Sequence, residues 1–296
     1  MPSQLPLAET EFIQRTTGCI AEVLCSVAGQ LGAREDSQWA AIRDRFEPGK
    51  LLRTRLALAL SPAGNMPVDD LVRCCAATEM IHTATLFHDD VIDGASLRRG
   101  QPALWKAVGS TGAILIGDLF FSAAVELVLA TGRLELVQSF VGKVREVCAT
   151  EAVHELLLRG QTIELADSLR IARGKTGALF AFPAEACGGT DAPLSRQLAE
   201  VGYLVGTAYQ IADDLVDEVG DEQSAGKTLG TDRKRHKFTL AQTPGKSVTE
   251  IRQEIEGLGQ QALARLAGRP ELAARLQQYL STYLTLPQPL PIAKAG

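Results

Sequence analysis

The chain reads IHTATLFHDDVID at residues 81–93 and VGTAYQIADDLVD at residues 205–217. Each stretch runs through apolar residues with helical spacing and closes on three aspartates arranged Asp-Asp-x-x-Asp. Positions four apart share one face of a helix, so the first and last aspartates of each cluster point the same way. The sequence therefore predicts two helices that each carry a group of carboxylates at one end.

These acidic clusters predict a bound cation. Neighbouring carboxylates repel one another, and burying their charge is costly unless something cationic neutralises it. Mg²⁺ is suited to this, because it binds through one or two carboxylates and keeps positions for phosphate oxygens and water. One cluster alone would more often be a solvated helix end. Two copies favour a site that grips one diphosphate from two sides.

Composition indicates a helical globular protein. Of the 296 residues, 46% are apolar and 22% charged, and residue types that favour helices outnumber those typical of strands. No low-complexity linker divides the chain, so we expect one all-α domain over residues 1–296, with a disordered tail at 286–296. Residues 220–246 are expected to form a long loop. Helices are predicted over about residues 8–31, 37–46, 49–60, 67–93, 102–108, 112–130, 133–159, 162–188, 192–219, 248–267 and 270–283.

Charge and cysteine usage exclude several classes of protein. The net charge of −5 argues against a nucleic-acid partner. The longest apolar run, residues 113–130, contains Asp118 and Glu126 and predicts a core helix rather than a membrane span. The six cysteines have neither metal-site nor disulfide spacing, which predicts reduced thiols in a cytoplasmic protein. The first residues show no signal-peptide pattern.

Basic residues lie beside glycines or near the acidic clusters, where a diphosphate would need them. His82 lies two turns before Asp89 on nearly the same helix face, so a ligand contact and a structural role are both open. One lysine or arginine alone would more often be an ordinary surface residue. The hypothesis of a phosphate site rests on the joint placement of Lys50, Arg53, Arg98, Arg99, Lys175, Lys227 and Lys237.

The chain resembles the trans-isoprenyl diphosphate synthase (polyprenyl synthetase) family over about residues 40–285. Five ordered motifs carry the resemblance: GKLLR at 49–53, HTATLFHDDVID at 82–93 with RRGQP at 98–102, GD at 117–118, KT at 175–176, and YQIADDLVD at 209–217 with GK at 226–227 and KFTL at 237–240.

The resemblance implies a large single-domain helical bundle of the isoprenoid synthase type, with a deep central cavity, and a homodimer. It implies up to three Mg²⁺ ions held by Asp89, Asp90, Asp93, Asp213 and Asp217, with Asp214 in support. The diphosphate of an allylic substrate would further contact Arg98, Lys175, Thr176, Gln210, Lys227 and Lys237. Isopentenyl diphosphate would be bound by Lys50, Arg53, His82 and Arg99.

The chemistry that the family performs suits these residues. Cations stabilise the negative charge that builds on a departing diphosphate, and an apolar cavity protects the allylic carbocation from water. The isopentenyl double bond then attacks, giving a trans product one isoprene unit longer. The protein would not be integral to a membrane, although peripheral contact during product release is compatible with it.

Two departures from the family pattern concern the first basic motif. Leu51 replaces an arginine and Thr54 a proline, and Arg55 is a candidate to compensate. Product length should follow the depth of the cavity beneath the first cluster. Ala84 and Thr85 are small there, and Phe120 is a candidate floor. We therefore expect a product of C25 or longer, within C30–C50.

Three alternatives are compatible with parts of the pattern. A short-chain synthase making C15–C20 products would share every motif. A class I terpene cyclase shares the first cluster but usually has an Asn/Ser/Glu metal motif instead of the second. A regulatory subunit of a heteromeric synthase could lose one cluster, whereas both are intact here.

Overall fold

The computed structural model describes residues 8–30, 42, 49–161, 163–219 and 247–284. In these ranges the chain is helical, apart from short connections and one small hairpin. The helices are α1 (Glu9–Gln30), α2 (Leu52–Leu60), α3 (Val68–Ile92), α4 (Leu104–Leu129), α5 (Leu134–Val153), α6 (Leu165–Ala172), α7 (Ala178–Ala186), α8 (Ala192–Val219), α9 (Val248–Arg265) and α10 (Pro270–Tyr283).

The all-α prediction is confirmed, and most of the predicted boundaries fall within a few residues of those observed. The predicted break between residues 108 and 112 is a kink at Gly109, whose φ of 75° is left-handed. The predicted helix over 37–46 and the predicted loop over 220–246 lie outside the described residues, apart from residue 42. The predicted tail at 286–296 also lies outside them.

Several short elements escaped the prediction. A two-stranded hairpin joins β1 (Leu97–Arg98) to β2 (Gln101–Pro102), and Arg99 and Gly100 both have positive φ at its tip. Positive φ at both turn residues matches the right-handed twist of a two-residue hairpin. The segments His154–Leu158 and Arg173–Gly177 are π-helical turns, which follow α5 and α6. A short 3₁₀ turn, Ser61–Ala63, follows α2.

Helices α3 and α4 pack side by side and run antiparallel. Gly117 of α4 lies against the His88 ring of α3, where an added Cβ would come within 2.2 Å of the imidazole. One turn along α4, the Phe120 ring lies 5.7 Å from that of Phe87. This packing buries the α3 face that carries Ile81, Ala84 and Phe87.

Helices α7 and α8 also cross closely, through glycines. An added Cβ at Gly202 would meet the Ala181 backbone at 2.6 Å, and one at Gly206 would meet Gly177 Cα at 2.7 Å. The crossing therefore fixes the π-helical turn just before α7 against the C-terminal half of α8. The core around these helices is formed by fully buried side chains, among them Leu56, Leu60, Met80, Ile81, Phe120, Phe140, Phe180, Phe182, Leu198 and Ile211.

Helix α4 is long and strongly apolar. By length and composition it is the one helix in the described ranges that could cross a membrane, although a core helix of a soluble protein passes the same test. The part of α4 that packs on α3 is buried, whereas Ile114 and Leu115 on its outer face are exposed.

Candidate active site

Both aspartate clusters lie near the C-terminal ends of long helices. Asp89 and Asp90 are in the last turn of α3, and Asp93 caps it by donating its N–H to the Asp89 carbonyl. Asp213 and Asp214 lie in α8, which ends at Val219, and neither helix has a basic residue in its last turn. The negative end of a helix dipole disfavours carboxylates, so these positions call for cations supplied from elsewhere.

One π-helical turn connects the two acidic helix ends. Lys175 Nζ lies 3.7 Å from Asp89 Oδ2 on α3. The next residue, Thr176, donates its hydroxyl to Gln210 Oε1 on α8. Gln210 in turn donates from Nε2 to Asp214 Oδ1 at 2.7 Å. Residues near the ends of α3 and α8 therefore both contact this turn.

The neighbours of this turn explain how it holds Lys175 and Thr176 in place. π-helical turns are rare and often occur at functional sites, because the extra residue in the turn re-aims the side chains around it. Arg173 stacks on the Tyr203 ring at 3.9 Å and pairs with Glu200 at 2.7 Å. Gly174 lies directly against Thr150 of α5. The turn is thus fixed on both sides by contacts with neighbouring helices.

Lys175 lies between acidic side chains of two helices, Asp89 of α3 and Glu151 of α5. Burial alone would lower its pKa, but the carboxylates of Asp89 and Glu151, with Asp93 behind them, hold the pKa above its usual value. Its Nζ lies 2.6 Å from Glu151 Oε2. Lys175 therefore carries its positive charge at any physiological pH.

A separate basic cluster lies beside the site and is formed by residues from α2, α3 and the hairpin. Arg53 is buried, with Nη2 3.3 Å from His82 Nδ1 and its guanidinium 5.0 Å above the Phe180 ring. The Arg99 guanidinium lies against Gly49, whose added Cβ would come within 2.7 Å of it. This grouping matches the predicted isopentenyl diphosphate set, except that Lys50 is simply exposed beside it.

The electrostatics of the basic cluster favour an anion. Burial lowers the pKa of His82 well below its usual value, and the positive charges of Arg53, Arg99 and Arg98 add to this effect. His82 is therefore neutral at physiological pH. Burial also lowers the pKa of Arg53, while Glu79 opposes the change. Several cations that face each other at short range leave a strong positive field for a phosphate to enter.

Asp90 lies on a different side of α3 from Asp89. Its carboxylate is only 2% exposed, and Oδ1 accepts hydrogen bonds from Arg98 Nε at 3.0 Å and Nη2 at 2.5 Å. Adjacent helical residues point about 100° apart, which separates Asp90 from the face shared by Asp89 and Asp93. In this structure the Asp90–Arg98 pair ties the hairpin to α3.

The two departures in the first basic motif have distinct structural outcomes. Leu51 is buried, with a left-handed φ of 50°. Thr54 donates to Glu79 Oε1 from its N–H at 3.3 Å and its hydroxyl at 3.0 Å. A proline has no N–H and could not make the first bond. Because Glu79 Oε2 lies 3.9 Å from Arg53 Nη1, Thr54 helps to hold the carboxylate that faces Arg53.

The suggestion that Arg55 compensates for Leu51 is wrong. Its Nε donates to the Lys50 carbonyl at 2.8 Å, and its Nη1 donates to the Tyr283 hydroxyl at 2.9 Å. It also pairs with Glu9. The guanidinium therefore points toward the first and last described helices and away from the basic cluster.

Of the predicted chain-length residues, Ala84 and Thr85 lie on two different faces of α3, and Phe120 lies on α4. Thr85 is half-buried, one turn before Asp89 on the same face, and its hydroxyl donates to the His82 carbonyl at 2.8 Å. Ala84 is fully buried on the face that packs on α4, next to the Phe87–Phe120 pair.

Three other predicted site positions lie outside the described part of the chain: Lys227, Lys237 and the side chain of Asp217.

The donor set suits a divalent cation shared with a phosphate. Among the described residues, no three acidic, imidazole or thiolate side chains converge as a preformed metal cage. A diphosphate-bridging Mg²⁺ does not need such a cage, because phosphate oxygens and water complete its octahedron. Asp89 and Asp93 on one side of the turn, and Asp213 and Asp214 on the other, offer the oxygen ligands that hard cations prefer.

Sequence reasoning missed two acidic residues of this site. Glu79 precedes His82 by one helical turn, so its place beside the basic cluster could have been inferred from that spacing. Glu151 gave no signal, because it lies in a helix with no recognised motif and reaches Lys175 only through tertiary packing.

Comparison with known proteins identifies the family of this chain. Residues 39–258 match the Polyprenyl synthetase family. The chain belongs to the polyprenyl synthetase family. A geranylgeranyl diphosphate synthase of Mycobacterium tuberculosis is 33% identical over 276 residues, which cover 89% of this chain and 77% of that relative.

Two further polyprenyl synthetase relatives show how far the similarity extends. A short chain isoprenyl diphosphate synthase of Methanothermobacter thermautotrophicus is 36% identical over 199 residues, 65% of this chain and 61% of the relative. The crystal structure of a polyprenyl synthase from Caulobacter crescentus CB15, complexed with calcium and isoprenyl diphosphate, is 27% identical with a TM-score of 0.66. That match covers 95% of this chain and 93% of the other. The predicted family and fold class are confirmed.

Proposed function

We propose that this polyprenyl synthetase condenses isopentenyl diphosphate with an allylic diphosphate, head to tail and trans. The observation that carries the proposal is the pairing of two sites. Acidic helix ends face Lys175 and Thr176 on one turn, and a separate basic cluster around Arg53 and His82 lies beside them. A reaction between two diphosphates needs one binding site for each. The acidic site would bind its diphosphate through metal ions, and the basic cluster would bind the other directly.

At the acidic site, the diphosphate of the allylic substrate would be held between α3 and α8. Asp89 and Asp93, with Asp213 and Asp217 opposite, would hold Mg²⁺, and the bound metal would neutralise the departing diphosphate. The ammonium of Lys175 would further stabilise the negative charge on the leaving oxygens. The hydrogen bond between Thr176 and Gln210 fixes the turn that carries Lys175. The calcium and isoprenyl diphosphate in the Caulobacter relative support a divalent cation here.

At the basic cluster, Arg53, Arg99 and neutral His82 bind the diphosphate of isopentenyl diphosphate, with Lys50 at the entrance. Asp90 holds Arg98 in place beside this cluster, and its predicted role as a metal ligand stays a prediction. A terpene cyclase has no second diphosphate to bind, so this cluster favours the synthase. Incubation with an allylic diphosphate alone separates the two, because only a cyclase turns over without the second substrate.

We also propose a long product, of C25 or more. Relatives named as farnesyl, geranylgeranyl and octaprenyl diphosphate synthases all match the chain, so product length rests on its own residues. Small Thr85 lies directly below Asp89 on the face that the growing chain would follow. The Phe87–Phe120 pair is buried between α3 and α4, on the neighbouring face that carries Ala84.

The decisive experiment is a product assay on the purified chain alone. With Mg²⁺, farnesyl diphosphate and isopentenyl diphosphate, mass spectrometry should detect prenyl diphosphates of C25 or longer. The variant Asp89→Asn should lose about 10²-fold or more in kcat, since it weakens stabilisation of the leaving group. Asp167→Asn, at an exposed ion pair with Arg170 on α6, should keep wild-type activity.

The outcomes of this assay separate the alternatives. Products that stop at C15–C20 would contradict the long-chain proposal and leave the synthase intact. No product from the chain alone would favour a heteromeric subunit, a possibility raised by the similarity to a heptaprenyl diphosphate synthase component 2.

We further propose that the chain forms a homodimer through the outer face of α4. Leu115 is 57% exposed there and Ile114 lies beside it, on a long and strongly apolar helix. A second copy would cover the same residues on both chains, as a two-fold interface requires.

A further inference from the structure

We propose that Glu151 is a positioning residue, which holds Lys175 and so limits the competition of this lysine with a divalent cation for Asp89. The inference deepens the proposed function, on which it rests. Neither acidic cluster includes Glu151, which belongs to a third helix, α5. It would act on the metal through Lys175, without binding the metal itself.

The geometry gives Lys175 two unequal partners. Its Nζ lies 2.6 Å from Glu151 Oε2 and 3.7 Å from Asp89 Oδ2. The first is a close ion pair, and the second is a longer and weaker one. All three side chains are mostly buried, with 29% exposure for Lys175, 16% for Glu151 and 17% for Asp89. The ammonium is therefore held on the Glu151 side of the gap.

The physical consequence concerns competition for the oxygens of Asp89. An ammonium bound directly to Asp89 would have to be displaced before a metal ion could bind there. A lysine side chain is long and flexible, so without Glu151 the ammonium of Lys175 would be drawn toward the carboxylate of Asp89. Glu151 therefore lets the site carry a cation for the leaving diphosphate without lowering its affinity for metal.

Mn²⁺ alone, with no diphosphate present, provides the test. Titration calorimetry on Glu151→Gln should show Mn²⁺ binding weakened about tenfold, a change equivalent to about 1.4 kcal/mol. The matched control is Glu155→Gln, which removes a carboxylate one turn along from an ion pair with Arg159. It should shift Mn²⁺ binding by less than about twofold, because it removes charge without freeing Lys175.

A second background separates positioning from direct ligation. In Lys175→Met this lysine no longer competes for Asp89, so adding Glu151→Gln should change Mn²⁺ affinity by less than about twofold. An equal tenfold loss in both backgrounds would mean that Glu151 contacts the metal, and would overturn the proposal. Unchanged Mn²⁺ binding in Glu151→Gln would overturn it as well.

Two further measurements keep the result interpretable. Urea unfolding of each variant identifies any loss that is due to misfolding. If Glu151→Gln does not fold, Lys175→Met alone carries the test: it should bind Mn²⁺ at least as tightly as the wild type, and weaker binding would contradict the proposal. Because the titration uses no prenyl substrate, it can succeed or fail whether or not the chain proves to be a synthase.

Discussion

At the scale of single residues, the sequence predicted the position of a side chain where that position depends on local helical spacing. Asp89 and Asp93 could be placed on one face because they are four positions apart, and both lie in the last turn of α3 and its cap in the structure. Asp90 could not be assigned this way, because its burial against Arg98 depends on a hairpin eight residues later. Glu151, the closest partner of Lys175, escaped for the same reason, since it comes from a helix that is distant in sequence.

The substitution Thr54→Val tests how this chain manages without the family's proline. Valine keeps the shape and the N–H but removes the hydroxyl that donates to Glu79, leaving part of a buried carboxylate unsatisfied. We expect a loss of about 1–3 kcal/mol in unfolding free energy and a severalfold higher KM for isopentenyl diphosphate. Steady-state kinetics with each substrate varied in turn would measure the second effect.

Thr78→Val is the matched control for that substitution. Thr78 is also fully buried on α3, but its hydroxyl donates to the Cys74 carbonyl, away from Arg53. It should cost stability without raising the KM for isopentenyl diphosphate. Equal KM values in the two variants would show that the Thr54–Glu79 contact has no role in substrate binding.

At the scale of elements, the sequence predicted one helix over 162–188, whereas the chain forms α6, a π-helical turn and α7. Helical periodicity cannot distinguish a π turn from a continuous α-helix, because one extra residue leaves the apolar pattern almost intact. The reason for the turn is tertiary. Gly174 and Gly177 fit against α5 and α8, and neither contact can be read from the local sequence.

The variant Gly174→Ala should disturb this turn. Its new Cβ would lie 2.2 Å from Thr150 Oγ1, so the turn must shift, at a cost of roughly 1–3 kcal/mol in unfolding free energy. We expect kcat to fall as Lys175 moves. Gly142→Ala on α5 meets open space and should instead stabilise by up to about 1 kcal/mol. Urea unfolding and kcat that are unchanged in Gly174→Ala would disprove the role assigned to the turn.

At the scale of the whole molecule, the fold was predictable because composition and periodicity agree along most of the described chain. What composition could not supply is which faces of the helices remain exposed. Helix α4 was predicted to be central, and its outer face is nevertheless open at Ile114 and Leu115.

The proposed dimer makes this exposed face testable. Leu115→Glu would place a charge in the contact between two copies, and burying that charge without a partner is costly. Sedimentation analysis should show a dimer for the wild type and a monomer for this variant. Val248→Glu, an exposed apolar residue at the start of α9, should remain dimeric. A wild-type chain that sediments as a monomer would contradict the proposal.

The position of Arg55 has a consequence for biosynthesis. Its guanidinium joins the Lys50 carbonyl, beside the basic cluster, to Tyr283 in the last described helix, 228 positions further along the chain. Chains emerge from the ribosome N-terminus first. The nascent protein can therefore pack α2 and α3 early. The contacts through which Arg55 holds the Lys50 segment are completed only after α10 has been translated.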